Sequence, residues 1–351
     1  MEPYKAGKRA IQGIAHPIKL SSNESLLGAG PKVRDALVRA SETLSLYPDG
    51  GCEMLREKIA ARHGIDANRI VCGNGSFELL SLLGLAYLDE GSEALYSEHG
   101  FSFYKLVAQT NGAVPVSAPD IGMKADVDAI LEWVSPKTRI VFLANPNNPT
   151  GTYLTNKEVK KLHANLPPDV LLVLDGAYAE YVCRDDYEAG IDLVDASQNV
   201  VMTRTFSKIY GLASLRLGWC YGPAHIADVL NRIRGPFNVS AAAQAAGIAA
   251  ITDTSFEKMV VEHNEKWRIW LNREITSLGL KTTEGAASFL VIHFDKKGQK
   301  TAAEADRFLQ SKGLILRRLQ AYKLPHCIRM TVGLEDANRA VVAALKEFMS
   351  R

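Results

Sequence analysis

The segment Thr205-Phe206-Ser207-Lys208-Ile209-Tyr210-Gly211, followed by Arg216, joins three groups that could do chemistry together. A primary amine condenses with an aldehyde, and a hydroxyl beside a guanidinium holds a phosphate. Ser207, Lys208 and Arg216 therefore suit a phosphorylated aldehyde such as pyridoxal 5'-phosphate, with the lysine held as a Schiff base. Ser-Lys pairs are also common on solvated surfaces, so this reading needs support from the rest of the chain.

Three further motifs bear on it. Gly73-Asn74-Gly75-Ser76 stands between an apolar strand-like run and a helix-like one. Free backbone N–H groups and the helix dipole attract an anion there, although the same residues would serve as a tight turn with a serine cap. Asn145-Pro146-Asn147-Asn148-Pro149-Thr150-Gly151 reads as a rigid, irregular loop with more asparagines than a plain turn requires. Asp175 ends the run Val170–Leu174. A carboxylate at the end of a buried strand needs a cation or a strong donor, and a pyridinium nitrogen would provide one. The plainer alternative is a cap on the next turn. Tyr178 follows closely enough to line the same pocket.

The elements that must hold these residues follow from periodicity. Strands are expected at 69–72, 94–96, 114–117, 139–143, 170–174, 200–203 and 217–221. Helices are expected at 77–88, 103–111 and 155–165, with two earlier ones at 31–41 and 54–63. This alternation argues an α/β fold with a mostly parallel sheet flanked by helices. Beyond Ala241 the pattern changes to a long helix (256–278), strands at 289–294, 314–319 and 328–332, and helices at 302–312 and 336–349. The expected division is an N-terminal arm (1–24), a large domain (25–249) and a smaller α+β domain (250–351).

The bulk figures exclude several classes of function. The 351 residues carry 41 Lys+Arg against 39 Asp+Glu, a net charge of +2, which offers no general nucleic-acid or anionic-membrane surface. Anion binding must then come from a few placed arginines. The five cysteines are scattered without a CxxC pair, so no metal centre is expected, and the set reads as reduced thiols in a cytoplasmic protein. The N-terminus shows no signal-peptide pattern, and the apolar stretch Leu79–Leu88 is too short to span a bilayer.

The motifs in their order, from Ser21-Ser22-Asn23-Glu24 through Asn147-Asn148-Pro149-Thr150-Gly151 and Thr205-Phe206-Ser207-Lys208 to Cys327-Ile328-Arg329-Met330-Thr331-Val332-Gly333, cover nearly the whole chain. In this the chain resembles the fold-type I pyridoxal-phosphate aminotransferases, and among them the histidinol-phosphate aminotransferase family. The resemblance implies a homodimer that exchanges an amino group between histidinol phosphate and 2-oxoglutarate, giving imidazole acetol phosphate and glutamate in histidine biosynthesis. It implies that Lys208 forms the internal aldimine and shuttles the proton, that Asp175 pairs with the ring nitrogen, and that Tyr178 and Asn148 contact the ring's phenolic oxygen. Phe101 would stack on the ring. Ser207, Arg216, Gly75 and Ser76 would hold the cofactor phosphate, and Tyr47 would reach the phosphate in the partner subunit. Arg329 and Arg317 would bind substrate anions, with Tyr4 and Asn23 nearby.

Arg317 and its neighbour Arg318 should point to opposite faces of a strand, and family spacing favours Arg317 for the pocket. One departure is Asp175-Gly176-Ala177-Tyr178, where the family often has Glu in second place. The glycine loop is also about one residue shorter than usual. The same lysine frame admits transamination of aromatic amino acids, decarboxylation of a phosphorylated amino acid, or a non-catalytic regulator domain. No DNA-binding extension is visible for the last.

Overall fold

The computed structural model describes Lys8 and residues 10–351, so Tyr4 lies outside the described residues. The chain opens with a short strand β1 (Ile18–Lys19) and helices α1 (Pro31–Ala40) and α2 (Glu53–His63). An alternating run follows: β2 (Ile70–Gly73), α3 (Ser76–Tyr87), β3 (Glu93–Ser97), α4 (Phe103–Thr110), β4 (Val114–Ala118), the hairpin β5 (Asp120–Ile121) and β6 (Lys124–Ala125), and α5 (Val127–Glu132). It continues through β7 (Thr138–Ala144), α6 (Asn156–Asn165), β8 (Leu171–Asp175), α7 (Ile191–Asp195), β9 (Val200–Thr205), β10 (Gly218–Tyr221), α8 (Ala224–Ile233) and α9 (Ala241–Ile251). The last part comprises α10 (Thr254–Ser277), β11 (Lys281–Thr283), β12 (Phe289–His293), α11 (Ala302–Ser311), β13 (Leu314–Ile315), β14 (Arg317–Leu319), β15 (Leu324–Thr331) and α12 (Glu335–Ser350).

Seven strands form the main sheet in the order β2-β10-β9-β8-β7-β3-β4. All pairs are parallel except the two made by β10, which runs against both β2 and β9. The central strands are continuous apolar runs because both of their faces are covered. Leu172, Leu174, Val200 and Met202 pack into one core, while Leu171, Val173 and Val201 pack into another on the opposite face. A second sheet, β11-β12-β15-β14, is antiparallel and rests on α10, α11 and α12 through a third core that includes Leu271, Ile292, Leu309, Ile328 and Leu345.

The expected elements are present with ends shifted by a few residues, and the differences have physical causes. Leu314–Leu319 is two short strands, because β13 pairs in parallel with β1 while β14 pairs with β15. The opening arm therefore contains a strand that sequence periodicity, at two residues long, could not reveal. Helix α9 was missed because its sequence, AAAQAAGIAAI, is apolar all round and shows no amphipathic period. Its small residues allow close packing: a Cβ at Gly247 would stand 2.5 Å from Leu217 Cδ2.

Candidate active site

A cavity of about 360 Å³ opens at the carboxyl ends of β7, β8 and β9, the usual position for ligands in an open α/β sheet. Its walls include Asn148, Asp175, Tyr178, Lys208, Arg216 and Arg329. Asn23, Ser76, Phe101, Ser207 and Arg317 also line it.

At the floor, Asp175 is 5% exposed. Burial pushes its carboxyl above the usual carboxylate range, against hydrogen bonds from Tyr104, Thr203 and the Ala177 backbone. The Tyr104 hydroxyl donates to Asp175 Oδ2 at 2.9 Å, and Thr203 Oγ1 donates to Oδ1 at 3.2 Å. Tyr104 and Thr203 were not picked out from sequence. Tyr104 lies in the first turn of α4 with its ring edge-on to Phe101 at 5.8 Å, and Thr203 lies beside Asp175 in the β8–β9 register.

Lys208 follows β9 with its amine 5.6 Å from the Tyr178 ring centroid and 3.4 Å from the Ser22 carbonyl oxygen. Burial, then the Arg329 and Arg216 charges, lower its amine to about 8. The Tyr178 hydroxyl accepts from Asn23 Nδ2 at 2.7 Å, and burial raises its phenol to about 12. Asn23 is itself fixed in the left-handed region (φ 54) by a bond from its N–H to Thr331 Oγ1 at 3.0 Å.

The asparagine-rich loop divides its labour. Asn145 bonds Leu154 in both directions, at 3.0 and 2.8 Å, and Asn147 donates to the His99 carbonyl oxygen and Thr150 Oγ1. Both Asn-Pro bonds are cis. Asn148 alone of the three turns into the cavity, where its Oδ1 accepts from Arg329 Nη1. Arg329 also donates through Nη2 to the Ser21 carbonyl oxygen at 2.9 Å.

An anion cradle lies at the opposite wall. Helix α3 begins at Ser76 with no side-chain cap, after Gly75 at φ 79. A Cβ on Gly75 would stand 2.2 Å from Arg216 Nη2, so the missing side chain is what lets the guanidinium lie against the loop. A Cβ on Gly218 would likewise stand 2.5 Å from the Ser76 nitrogen. Arg216 Nη1 donates to Ser207 Oγ at 3.2 Å. A helix N-terminus, a guanidinium and a hydroxyl converge as a phosphate requires.

Arg317 and Arg329 are cross-strand partners on β14 and β15, and both line the cavity. Arg318 does not line it; its Nη2 donates to the Pro325 carbonyl oxygen at 3.1 Å. Tyr47 is also outside the cavity. It is 84% exposed and stacks on Phe237 at 4.8 Å. Residues of the cavity not singled out beforehand include Lys19, Phe77, Thr205 and Tyr322. Tyr322 stands in the turn between β14 and β15, where no sequence pattern marks it.

These groups fit pyridoxal phosphate. The cavity offers an amine lowered toward neutrality, a buried carboxyl bonded to neutral donors, an aromatic wall at Phe101 and a cradle for a dianion. The family model for class I and II aminotransferases matches residues 15–345. The chain is 52% identical to histidinol-phosphate aminotransferase of Nitrobacter winogradskyi over 99% of this chain and 96% of that one. It is 54% identical to the enzyme of the same name from Maricaulis maris, over 99% and 96%. The crystal structure of histidinol-phosphate aminotransferase from Sinorhizobium meliloti in complex with pyridoxal-5'-phosphate superposes with a TM-score of 0.89 at 28% identity, covering 95% of this chain and 91% of that one. With a family match along almost its whole length and relatives above half identity from end to end, the chain belongs to the class I and II aminotransferases and, within them, to the histidinol-phosphate aminotransferase family.

Proposed function

We propose that the chain transfers an amino group between histidinol phosphate and 2-oxoglutarate, with pyridoxal phosphate as cofactor. The observation that carries this reading is the meeting of Lys208, Asp175 and the Gly75–Ser76/Arg216 cradle in one cavity that also holds two arginines, Arg317 and Arg329. Bound there, the cofactor supplies an electron-withdrawing ring that takes up the electron pair left when a substrate C–H bond breaks.

The chain's own residues do the rest. Asp175 keeps the ring nitrogen protonated, and its burial makes that partner valuable, since a lone buried carboxylate is costly. Lys208 moves the proton through its Nζ, and an amine lowered to about 8 is in part neutral near pH 7, as a base must be. Tyr178 and Asn148 orient the ring's phenolic oxygen, and Phe101 packs against its face. Ser207, Arg216 and the Gly75–Ser76 backbone hold the phosphate. Arg329 and Arg317 receive substrate anions. Like charges directly across two strands repel, and an anion between them offsets that. Asn23 positions Tyr178 from the arm.

The chain acts as a homodimer with Tyr47 reaching the partner's cofactor phosphate. In support, Tyr47, Leu44, Leu46, Met54 and Phe237 form an exposed apolar set around the turn that carries Tyr47. The chain divides into an arm (1–24), a large domain (25–249) and a smaller domain (250–351); the core under the second sheet, into which Leu20 of the arm packs, supports the smaller domain. A cytoplasmic location is supported by five free cysteines. Among the described residues no helix is long and apolar enough to cross a membrane.

The test is a half-reaction screen. Holoenzyme mixed with histidinol phosphate is expected to lose the visible absorbance of lysine-bound cofactor and gain that of the aminated form. Phenylalanine, tyrosine and phosphothreonine are run alongside. No conversion with histidinol phosphate would defeat the substrate reading. The Lys208→Ala protein should bind the cofactor without the lysine-linked absorbance and without turnover, and full activity there would defeat the site.

A further inference from the structure

A second cluster of ligand-bearing side chains lies on the four-stranded sheet, and none of its members lines the cavity. His293 on β12 is the register partner of Cys327 on β15, so the two side chains share a sheet face, and His326 immediately precedes Cys327 where the β14–β15 register is irregular. One ligand atom from each of His293, His326 and Cys327 lies within 4.8 Å of the other two. Cys327 Sγ stands 3.6 Å from His293 Nδ1. A tetrahedral zinc ion with a sulfur at about 2.3 Å and a nitrogen at about 2.0–2.1 Å sets those two ligands about 3.6 Å apart.

Both nitrogens of the His293 ring have polar neighbours. Thr283 Oγ1 donates its proton to Met123 Sδ at 3.5 Å. The same hydroxyl oxygen lies 2.7 Å from His293 Nε2. In the tautomer that donates from Nε2 to that oxygen, Nδ1 keeps a lone pair directed at Cys327 Sγ. Such outer hydrogen bonds fix the ring and tautomer of a metal-bound histidine. Met123, which anchors this relay, is held in the left-handed region (φ 66) at the tip of the β5–β6 hairpin, a conformation uncommon outside glycine.

We propose that His293, His326 and Cys327 form a binding site for a zinc-class divalent ion, with two nitrogen ligands, one thiolate and a fourth position open to water. Zinc takes the place of the thiol proton, which passes to solvent. The donor set selects a borderline or soft ion over magnesium or calcium, which take oxygen ligands. Burial pushes the Cys327 thiol up to about 12, against the nearby Lys296 charge, so the bound cation is what makes it a thiolate. Sequence spacing hid the group, because His293 and Cys327 are 34 residues apart. The sheet face is the one that carries Arg329, two residues beyond Cys327 on the same strand.

The test uses holoenzyme stripped of adventitious metal and titrated with zinc chloride against a chromophoric chelator. One zinc per chain is expected, with a zinc-edge X-ray absorption spectrum containing one sulfur neighbour. Cys327→Ser and His326→Ala should each weaken binding at least about tenfold. Cys183→Ser, at an exposed cysteine remote in sequence from the cluster, should leave binding unchanged. His326 is only half-buried, so its variant decides the matter if Cys327→Ser fails to fold. Affinity equal to the parent's in the His326 variant, no stoichiometric zinc in the parent, or a spectrum without sulfur would overturn the proposal. The outcome does not depend on which amino donor the enzyme uses.

Discussion

At Lys208, burial and two guanidiniums act in the same direction, and the consequence can be read from stability as well as from activity. The folded amine loses its proton near pH 8, whereas an unfolded lysine does so at about 10.4. Between those values the unfolded chain holds a proton that the folded chain lacks, so the cofactor-free protein gains stability as pH rises through that window. Lys208→Met removes this dependence. The variant's advantage in Tm over the cofactor-free parent should be greatest below about pH 8 and shrink toward pH 10. A difference that stays constant across the range would contradict the account.

Arg317 permits a sharper test at the same scale. A hydrogen bond to a charged partner is worth about 2 kcal/mol, so Arg317→Ala should lower kcat/KM for histidinol phosphate roughly 30-fold. Glutamate should lose less. Equal losses for both substrates in stopped-flow half-reactions would remove Arg317 as the residue that distinguishes phosphate.

Among the elements, the loop before α3 shows what a sequence can and cannot reveal. Gly73-Asn74-Gly75-Ser76 was legible as a possible anion loop and the family resemblance joined Arg216 to it, but only the fold shows that the missing Gly75 side chain admits the guanidinium. Gly75→Ala combines a positive φ with a Cβ in the path of that guanidinium. Cofactor affinity should fall roughly tenfold, about 1.4 kcal/mol, by equilibrium dialysis; an unchanged affinity would mean that the cradle is not where the phosphate sits. The asparagine loop taught a different lesson. Its composition marked it as unusual, yet two of its three asparagines, Asn145 and Asn147, serve to lock the loop itself. Periodicity found the strands of the main sheet because both faces are covered. It failed for α9, which is apolar all round, and for the break between β13 and β14, which depends on a partner strand some 300 residues earlier in the chain. Tyr104 and Tyr322 escaped for the same reason: each matters through a contact that the fold creates.

For the whole molecule, the proposed homodimer rests on the exposed face around Tyr47. Leu46 is 67% exposed beside Tyr47, an awkward solvent position for a leucine unless another surface covers it. Leu46→Asp should convert a dimer to a monomer in sedimentation velocity and lower activity with it. A variant that sediments like the parent with full activity would argue against this face as the interface.

The link between the chain's two ends has a consequence for its synthesis. Asn23, which holds Tyr178, is itself held by Thr331, 308 residues later, and the Leu20 carbonyl oxygen accepts from the Thr331 N–H. On the ribosome, the arm and the main sheet with Lys208 and Asp175 emerge before Thr331, which anchors the arm. A nascent chain can thus form the main sheet before Asn23 has the partner that fixes its backbone, so the arm locks over the cavity only after residue 331 has been made.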